Sequence, residues 1–218
     1  LIIFALSMGF IFVYSLVQLS LIINYLRAKK ATKKSAPTLA KENLPLVTVQ
    51  LPVYNELYVV ERLIECVCEF DYPKDKLEIQ VLDDSTDESI EIIANKVHLY
   101  QLKGFDIKHV RRPERIGYKA GALKFGTERC KGEFIAIFDA DFLPNSDFLL
   151  KAIPHFENAK IGVVQSKWEY TNEDYSFLTK VQAFGLNAHF SIEQVGRNFG
   201  NHFINFNGTA GIWRKSCI

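Results

Sequence analysis

The stretch from residue 46 to residue 84, LVTVQLPVYNELYVVERLIECVCEFDYPKDKLEIQVLDD, decides the fold. An apolar run at 46–51 is followed by a helical pattern at 58–69 and by a second apolar run at 77–82. Two apolar runs joined by a helix are typical of a β-α-β unit, whose strands are parallel and covered on both faces. The stretch therefore predicts an α/β domain.

The same alternation continues towards the C-terminus. It predicts further strands at 107–110, 134–138 and 161–165, and further helices at 89–102, 119–129, 148–156 and 175–194. The expected sheet is largely parallel, and ligands of such sheets bind beyond the carboxyl ends of the strands. Residues 203–213, aromatic, Asn-rich and punctuated by Gly, predict an irregular strand and loop that line a pocket.

Polar residues follow the first two strands. The first ends in the sequence PVYNE at 52–56, which can present Asn and Glu to a ligand, although helix capping by Asn55 is an equally good interpretation. The second ends in Asp83 and Asp84, two adjacent carboxylates that repel each other unless a cation or hydrogen-bond donors stabilise them. Ser85 or Thr86 could serve only as the cap of the next helix.

Two further turns complete the candidate site. After the third strand, Arg115 and Lys119 lie in a Gly-containing segment near a helix N-terminus, a setting suited to an anionic diphosphate, although the spacing of a P-loop is absent. After the fourth strand, Asp139 and Asp141 form a D-x-D pair that can hold a hard divalent cation together with phosphate oxygens. These groups together predict a nucleotide-diphosphate site.

The N-terminal 26 residues contain no charged residue and no His, which predicts a transmembrane helix at 1–26. A buried core helix is rarely so long without charge, and a signal peptide carries its positive charges before the apolar run. A basic linker is expected at 27–45, and its basic residues indicate that this flank is cytosolic and contacts anionic lipid. These residues are Arg27, Lys29, Lys30, Lys33 and Lys34.

The composition excludes several classes of protein. The chain has 26 Lys and Arg against 25 Asp and Glu, a net charge of +1, which excludes a nucleic-acid partner bound by bulk charge. With 12 Gly, 7 Pro and 4 Cys it is neither collagen-like nor a disulfide framework. The cysteines lack the spacing of a zinc site and are predicted to be reduced thiols.

Taken in order, these motifs resemble a known family. The segments PVYNE, VLDDSTD, RIGYKAGAL, FIAIFDADF, VVQSKWEY and INFNGTAGIWR are similar to those of processive family 2 glycosyltransferases of the cellulose-synthase superfamily, in particular cellulose-synthase-like mannan and glucan synthases. The resemblance implies a GT-A fold, a Rossmann-like mixed sheet, on the cytosolic face of a membrane. It also implies an inverting hexosyltransferase that uses UDP-glucose or GDP-mannose with Mg²⁺ or Mn²⁺ to extend a β-linked polysaccharide.

The resemblance also assigns roles to individual residues. Asp84 matches the first aspartate of the family pattern and is therefore expected to be a catalytic residue. The resemblance implies that it contacts the nucleotide end of the donor, with Asp83 beside it. Asp139 and Asp141 match the pair that holds metal and diphosphate, and Lys119 matches the lysine near the diphosphate. The nucleotide-binding first turn is matched by Pro52, Tyr54 and Glu56, and 208–213 matches the segment beside the acceptor channel.

Two departures from the family pattern limit these expectations. Phe142 stands where cellulose synthases have His, which favours the mannan or glucan branch. The T-E-D motif with the catalytic base and the Q-x-x-R-W motif do not occur before Ile218, so 46–218 is expected to be the donor-binding part of a truncated domain. Single-step transfer to a lipid acceptor and a non-catalytic donor-binding fragment remain alternatives. Glu169, Glu173, Asp174 and His189 are expected to be packed or solvated rather than catalytic.

Overall fold

The computed structural model describes residues 1–31 and 39–218, so Lys33, Lys34 and Pro37 of the predicted linker lie outside the described residues. The chain forms two compact units. One contains the N-terminal helix and Lys167–Asn205, and the other contains the remaining described residues. All four cysteines are free thiols, as the sequence predicts.

The second unit is built on a six-stranded mixed sheet in the order β3-β2-β1-β4-β6-β5. Its strands are β1 Val47–Val53, β2 Leu77–Asp83, β3 Asp106–Val110, β4 Phe134–Ile137, β5 Val163–Gln165 and β6 Gly211–Arg214. The first four strands are parallel, whereas β6 is antiparallel to both β4 and β5. The predicted β-α-β order is therefore confirmed, and the sheet is mixed because the irregular 203–213 segment returns as β6.

Helices fill the connections between these strands. They are α2 Val60–Cys68, α3 Ser89–Leu102, α4 Tyr118–Thr127 and α5 Phe148–Ala152. The prediction for α3 agrees at both ends. The helix predicted at 148–156 ends at Ala152 and continues as the 3₁₀ segment Ile153–Glu157, since Pro154 has no N–H to donate in a helix.

The sheet carries a polar layer inside an otherwise apolar core. Every residue of β2 is buried, and its odd-numbered apolar residues pack on one face. On the other face Glu78 accepts hydrogen bonds from Thr48 Oγ1 at 2.6 Å, Lys108 Nζ at 2.5 Å and the Lys131 backbone N at 2.7 Å. Gly126 of α4 lies over this layer, where an added Cβ would be 2.7 Å from Gln50 Nε2.

The first unit consists of helices. The N-terminal helix α1 spans Ile2–Lys30, so it continues through the first residues of the predicted linker, and the basic side chains of its last turn interact favourably with the helix dipole. Among the described residues, α1 is the helix that is long and apolar enough to cross a membrane. The predicted helix at 175–194 forms α6, Phe177–Ala188, and the π-helical segment His189–Gln194, which α7, Val195–Phe199, extends.

Candidate active site

A cavity of about 370 Å³ opens at the carboxyl ends of β1, β2 and β4, beside the N-terminus of α4. Parallel strands bring their ends to one edge, so residues far apart in sequence meet there. Seven of the eight predicted site residues line this cavity: Pro52, Tyr54, Glu56, Asp84, Lys119, Asp139 and Asp141. The eighth, Asp83, is not among the lining residues.

Lys119 ties three segments together at the floor of the cavity. Its Nζ lies 2.5 Å from Asp139 Oδ1 at the end of β4 and donates to the Gly208 carbonyl at 3.0 Å. The Asp139 backbone N donates to Thr209 Oγ1 at 2.9 Å, which fixes the start of the D-x-D turn. The end of β4 and the loop before β6 therefore form one acidic site that contains the ammonium group of Lys119.

The cavity has more carboxylates than cations. Burial raises the pKa of Glu56, and the negative charges of Asp141 and Asp139 raise it further, so the three carboxylates lie within electrostatic reach of one another. The cationic residues on the cavity wall are Arg115 and Lys119. Such an arrangement attracts a cation.

The oxygen donors of Asp139 and Asp141 fit Mg²⁺ or Mn²⁺. Among the described residues no group of three or more His, Cys, Asp or Glu forms a complete metal cage. Two carboxylates at an open cavity suit a divalent cation that also takes oxygens from a diphosphate, as Mg²⁺ commonly does. The residues present therefore fit a metal that binds together with its nucleotide.

Arg112 is the site residue that sequence reasoning missed. Its Nε lies 2.7 Å from Asp84 Oδ1 and its Nη2 2.5 Å from Oδ2, and both side chains are more than nine-tenths buried. It also donates to the carbonyls of Ile116 and Tyr118 at 2.6 and 2.8 Å. The hydrogen bond to Asp84 raises the pKa of Arg112. The sequence feature that could have indicated Arg112 is the Arg-Arg pair directly after β3, because it follows the strand next to the one that ends in the acidic pair.

Asp83 lies among partners of its own. Its carboxylate is fully buried, 2.7 Å from His109 Nε2 and 3.3 Å from Arg111 Nη1, and accepts from the Ser85 backbone N at 2.8 Å. Burial raises the pKa of Asp83, but the hydrogen bonds from His109 and Ser85 outweigh it and the net shift is downward. Contact of Asp83 with the donor stays a prediction.

The capping interpretations of Asn55, Ser85 and Thr86 are wrong. The N-caps of α2 and α3 are Val59 and Glu88, and neither makes a side-chain capping bond. Asn55 instead has φ of 57° and its Oδ1 accepts from the Thr86 backbone N at 2.9 Å, while its own backbone N donates to Ser85 Oγ. These bonds join the turns after β1 and β2.

An aromatic and cationic stack forms one wall of the cavity. The guanidinium of Arg115 lies 3.3 Å from the ring centroid of Tyr54 and 5.0 Å from that of Tyr118. A flat, positively charged platform of this kind suits an aromatic base followed by phosphates. In the unit that contains α1, Glu169 pairs with Lys167 and Asp174 with Lys180, all on exposed side chains.

A six-stranded mixed sheet with acidic turns at its strand ends is the GT-A fold of nucleotide-sugar glycosyltransferases, and the comparisons agree. A mannosyltransferase from Pyrobaculum calidifontis, solved with GDP-Man and Mn²⁺, superposes with a TM-score of 0.68 at 26% identity, over 89% of this chain and 52% of that one. Residues 48–218 match glycosyl transferase family 2, and the chain belongs to that family.

Curated relatives include plant enzymes. Glucomannan 4-beta-mannosyltransferase 1 of Cyamopsis tetragonoloba is 40% identical over 210 residues, 91% of this chain and 40% of the relative. Glucomannan 4-beta-mannosyltransferase 2 of Arabidopsis thaliana is 42% identical over 185 residues, 83% of this chain and 35% of the relative. The chain thus spans well under half the length of these relatives.

Proposed function

We propose that this chain is the donor-binding part of a membrane-anchored, inverting glycosyltransferase that transfers mannose from GDP-mannose to a growing β-linked glycan. The observation that carries the proposal is the meeting of Asp139, Asp141 and Lys119 at one cavity. GDP-mannose is favoured over UDP-glucose because the plant relatives are named mannosyltransferases and the archaeal neighbour was solved with GDP-Man.

Each residue has a role in holding the donor. Asp139 and Asp141 would hold Mg²⁺ or Mn²⁺, which neutralises the departing diphosphate when bound. Lys119 adds positive charge at the same diphosphate, and the Arg115 and Tyr54 stack receives the base. Arg112 holds the Asp84 carboxylate oriented towards the nucleotide end. Glu56 adds a third carboxylate within electrostatic reach of Asp139 and Asp141.

The roles assigned so far concern the donor and do not include activation of the acceptor. Inversion needs a carboxylate base that deprotonates the acceptor hydroxyl, and none of the described residues is assigned to it. The acceptor is proposed to be a glycan. A lipid acceptor and a non-catalytic donor-binding fragment are the competing functions.

The membrane anchor is α1, with the chain after it in the cytosol. The proposal is supported by the uncharged length of the helix and by Arg27, Lys29 and Lys30 at its end, since positive charge marks the cytosolic flank. This orientation would deliver the cytosolic donor to the cavity.

The test is donor-dependent transfer by the complete enzyme in membranes. Asp141→Ala should abolish Mn²⁺-dependent transfer of mannose from GDP-mannose, whereas Asp174→Ala, at a side chain that is 95% exposed, should leave it unchanged. Undiminished turnover by Asp141→Ala contradicts the assignment. Sizing of the product separates a polymer from a single transfer to lipid, and GDP binding without any transfer supports the non-catalytic alternative.

A further inference from the structure

The segment just before β6, residues 207–210, makes two contacts with the candidate active site. Its Gly208 carbonyl accepts from Lys119 Nζ at 3.0 Å, and its Thr209 Oγ1 accepts from the Asp139 backbone N at 2.9 Å. Lys119 and Asp139 in addition pair with each other and line the cavity. The placement of the 207–210 segment therefore affects the placement of the groups proposed to face the diphosphate and its metal.

The backbone of the 207–210 segment is in a conformation that other contacts must support. Gly208 and Ala210 have φ of 83° and 52°, and the second value is unfavourable for a residue with a Cβ. Residues held in such conformations persist where the surrounding structure fixes them, and they concentrate at functional sites. The contacts that fix this segment are therefore expected to matter for the chemistry beside it.

The side chain of Gln165, the last residue of β5, bonds to both ends of the segment. Its Oε1 accepts from the Asn207 backbone N at 3.0 Å, and its Nε2 lies 3.1 and 3.2 Å from the carbonyl oxygens of Thr209 and Ala210. The hydroxyl of the next residue, Ser166, donates to the Ala210 carbonyl at 2.5 Å. Gln165 is not one of the described residues that line the cavity, so its link to the site runs through the segment.

We propose that Gln165 is a positioning residue for glycosyl transfer. Its side-chain amide holds the 207–210 segment, and the segment holds Lys119 and Asp139 where the donor diphosphate and its metal bind. This inference rests on the proposed function, which places GDP-mannose in the cavity. An amide suits the role because it offers an acceptor for the Asn207 N–H and two donor hydrogens for the carbonyls in one planar group.

The effect of Gln165 should be selective for the phosphate end of the donor. The platform proposed for the base is formed by Arg115 and Tyr54, whereas the 207–210 segment contacts Lys119 and Asp139. Loosening the segment should therefore weaken the binding of a diphosphate with its metal and leave the binding of a nucleoside unchanged. A side chain that only stabilised the fold would not separate the two affinities in this way.

The experiment compares Gln165→Met with the wild type in the complete enzyme, by calorimetric titration with GDP and Mn²⁺ and, separately, with guanosine. We expect the affinity for GDP with Mn²⁺ to fall about two- to tenfold, the net effect of about one lost hydrogen bond, and the affinity for guanosine to stay at the wild-type value. Gln101→Met is the matched control, because the amide of Gln101 also donates to a backbone carbonyl, that of Ile107 at 2.8 Å. Both affinities of this control should equal those of the wild type.

A double-mutant cycle tests whether Gln165 acts through Lys119. The loss of GDP affinity in the Gln165→Met, Lys119→Met double variant should be smaller than the sum of the two single losses, because the segment then has one group fewer to position. Fully additive losses overturn the inference. An unchanged GDP affinity in Gln165→Met, or an equal loss of GDP and guanosine affinity, also overturns it.

A milder variant covers the case in which Gln165→Met does not fold. Ser166→Ala removes one contact with the same segment, and it should lower the ratio of GDP to guanosine affinity in the same direction. An unchanged ratio in Ser166→Ala then overturns the inference. Wild-type enzyme that binds no GDP with Mn²⁺ contradicts the proposed function itself, and the inference with it.

Discussion

Arg112 and Asp84 form an ion pair whose two side chains are more than nine-tenths buried, so little water can replace a lost partner. The pair is bidentate, and two further N–H groups of Arg112 donate to the Ile116 and Tyr118 carbonyls, so the whole turn before α4 depends on one guanidinium. A lysine cannot reproduce that fork of donors.

Replacing Arg112 with Met should therefore destabilise the domain by about 3 kcal/mol, because the carboxylate of Asp84, more than nine-tenths buried, keeps only the longer contact of 3.9 Å to Arg115 Nε. Arg112→Lys should retain stability better and still weaken GDP binding, since Asp84 loses its fixed orientation. Urea unfolding and calorimetric titration with GDP measure the two effects. Arg129→Met, at a half-exposed side chain, is the control. An Arg112→Met protein as stable as the wild type would contradict the role of the pair.

The ammonium group of Lys119 lies in the acidic site of the cavity. Its ammonium group lies 2.5 Å from Asp139 Oδ1 and competes with a divalent cation for that oxygen. Lys119→Met should bind Mn²⁺ alone about two- to fivefold more tightly, because a partly exposed pair is worth about 0.5–1 kcal/mol. With GDP present the same variant should bind Mn²⁺ more weakly, since the diphosphate loses a cation. Electron paramagnetic resonance of free Mn²⁺ measures both affinities, and a change of the same sign in both would exclude this role.

The close approach of helix α4 to the polar layer of the sheet makes Gly126 sensitive to substitution by any residue that has a Cβ. Its added Cβ would lie 2.7 Å from Gln50 Nε2 and 2.8 Å from Gln80 Oε1, both buried. Gly126→Ala should cost about 1–3 kcal/mol, as overpacking does. Gly185→Ala on exposed α6, where a Cβ meets nothing within 4 Å, should instead stabilise its helix by about 0.5–1 kcal/mol. Urea unfolding compares the variants, and equal effects would refute the packing argument.

Element order could be predicted because each strand is a short apolar run bounded by turn residues. The bounds of α3 agree with the prediction, whereas β6 could be predicted only as an irregular strand, since antiparallel pairing with β4 depends on long-range contacts. The π-helical segment His189–Gln194 has no sequence signal that distinguishes it from a continuing α-helix.

At the scale of the whole molecule, the candidate site could be predicted from motif positions because parallel strands deliver their carboxyl ends to one edge. Seven of the eight residues meet at the cavity for that reason. The partners of Asp83 and Asp84 could not be predicted, since which arginine of Arg111 and Arg112 faces which carboxylate depends on the register of β2 and β3.

The same register makes stability depend on pH through Glu78. Burial raises the pKa of this carboxyl, but hydrogen bonds from Lys108, Lys131 and Thr48 outweigh burial and the folded pKa lies below the usual 4.5. A carboxyl whose pKa is lower in the folded than in the unfolded protein stabilises the fold at pH values above its unfolded pKa. That stabilisation is lost as the pH falls through the folded pKa. Glu78→Gln should therefore be less stable than the wild type at pH 7 by about 1–3 kcal/mol.

The difference between Glu78→Gln and the wild type should shrink as the pH falls below 4.5 and on through the folded pKa of Glu78, because the wild-type carboxyl is then protonated and resembles the amide. Urea unfolding across this pH range measures it. Glu128→Gln, at a side chain that is 57% exposed, should show no such pH dependence. A Glu78→Gln deficit that stays constant from neutral to acid pH would mean that the buried carboxylate is not ionised in the folded protein, and that Lys108 and the Lys131 amide stabilise this end of the sheet by other contacts.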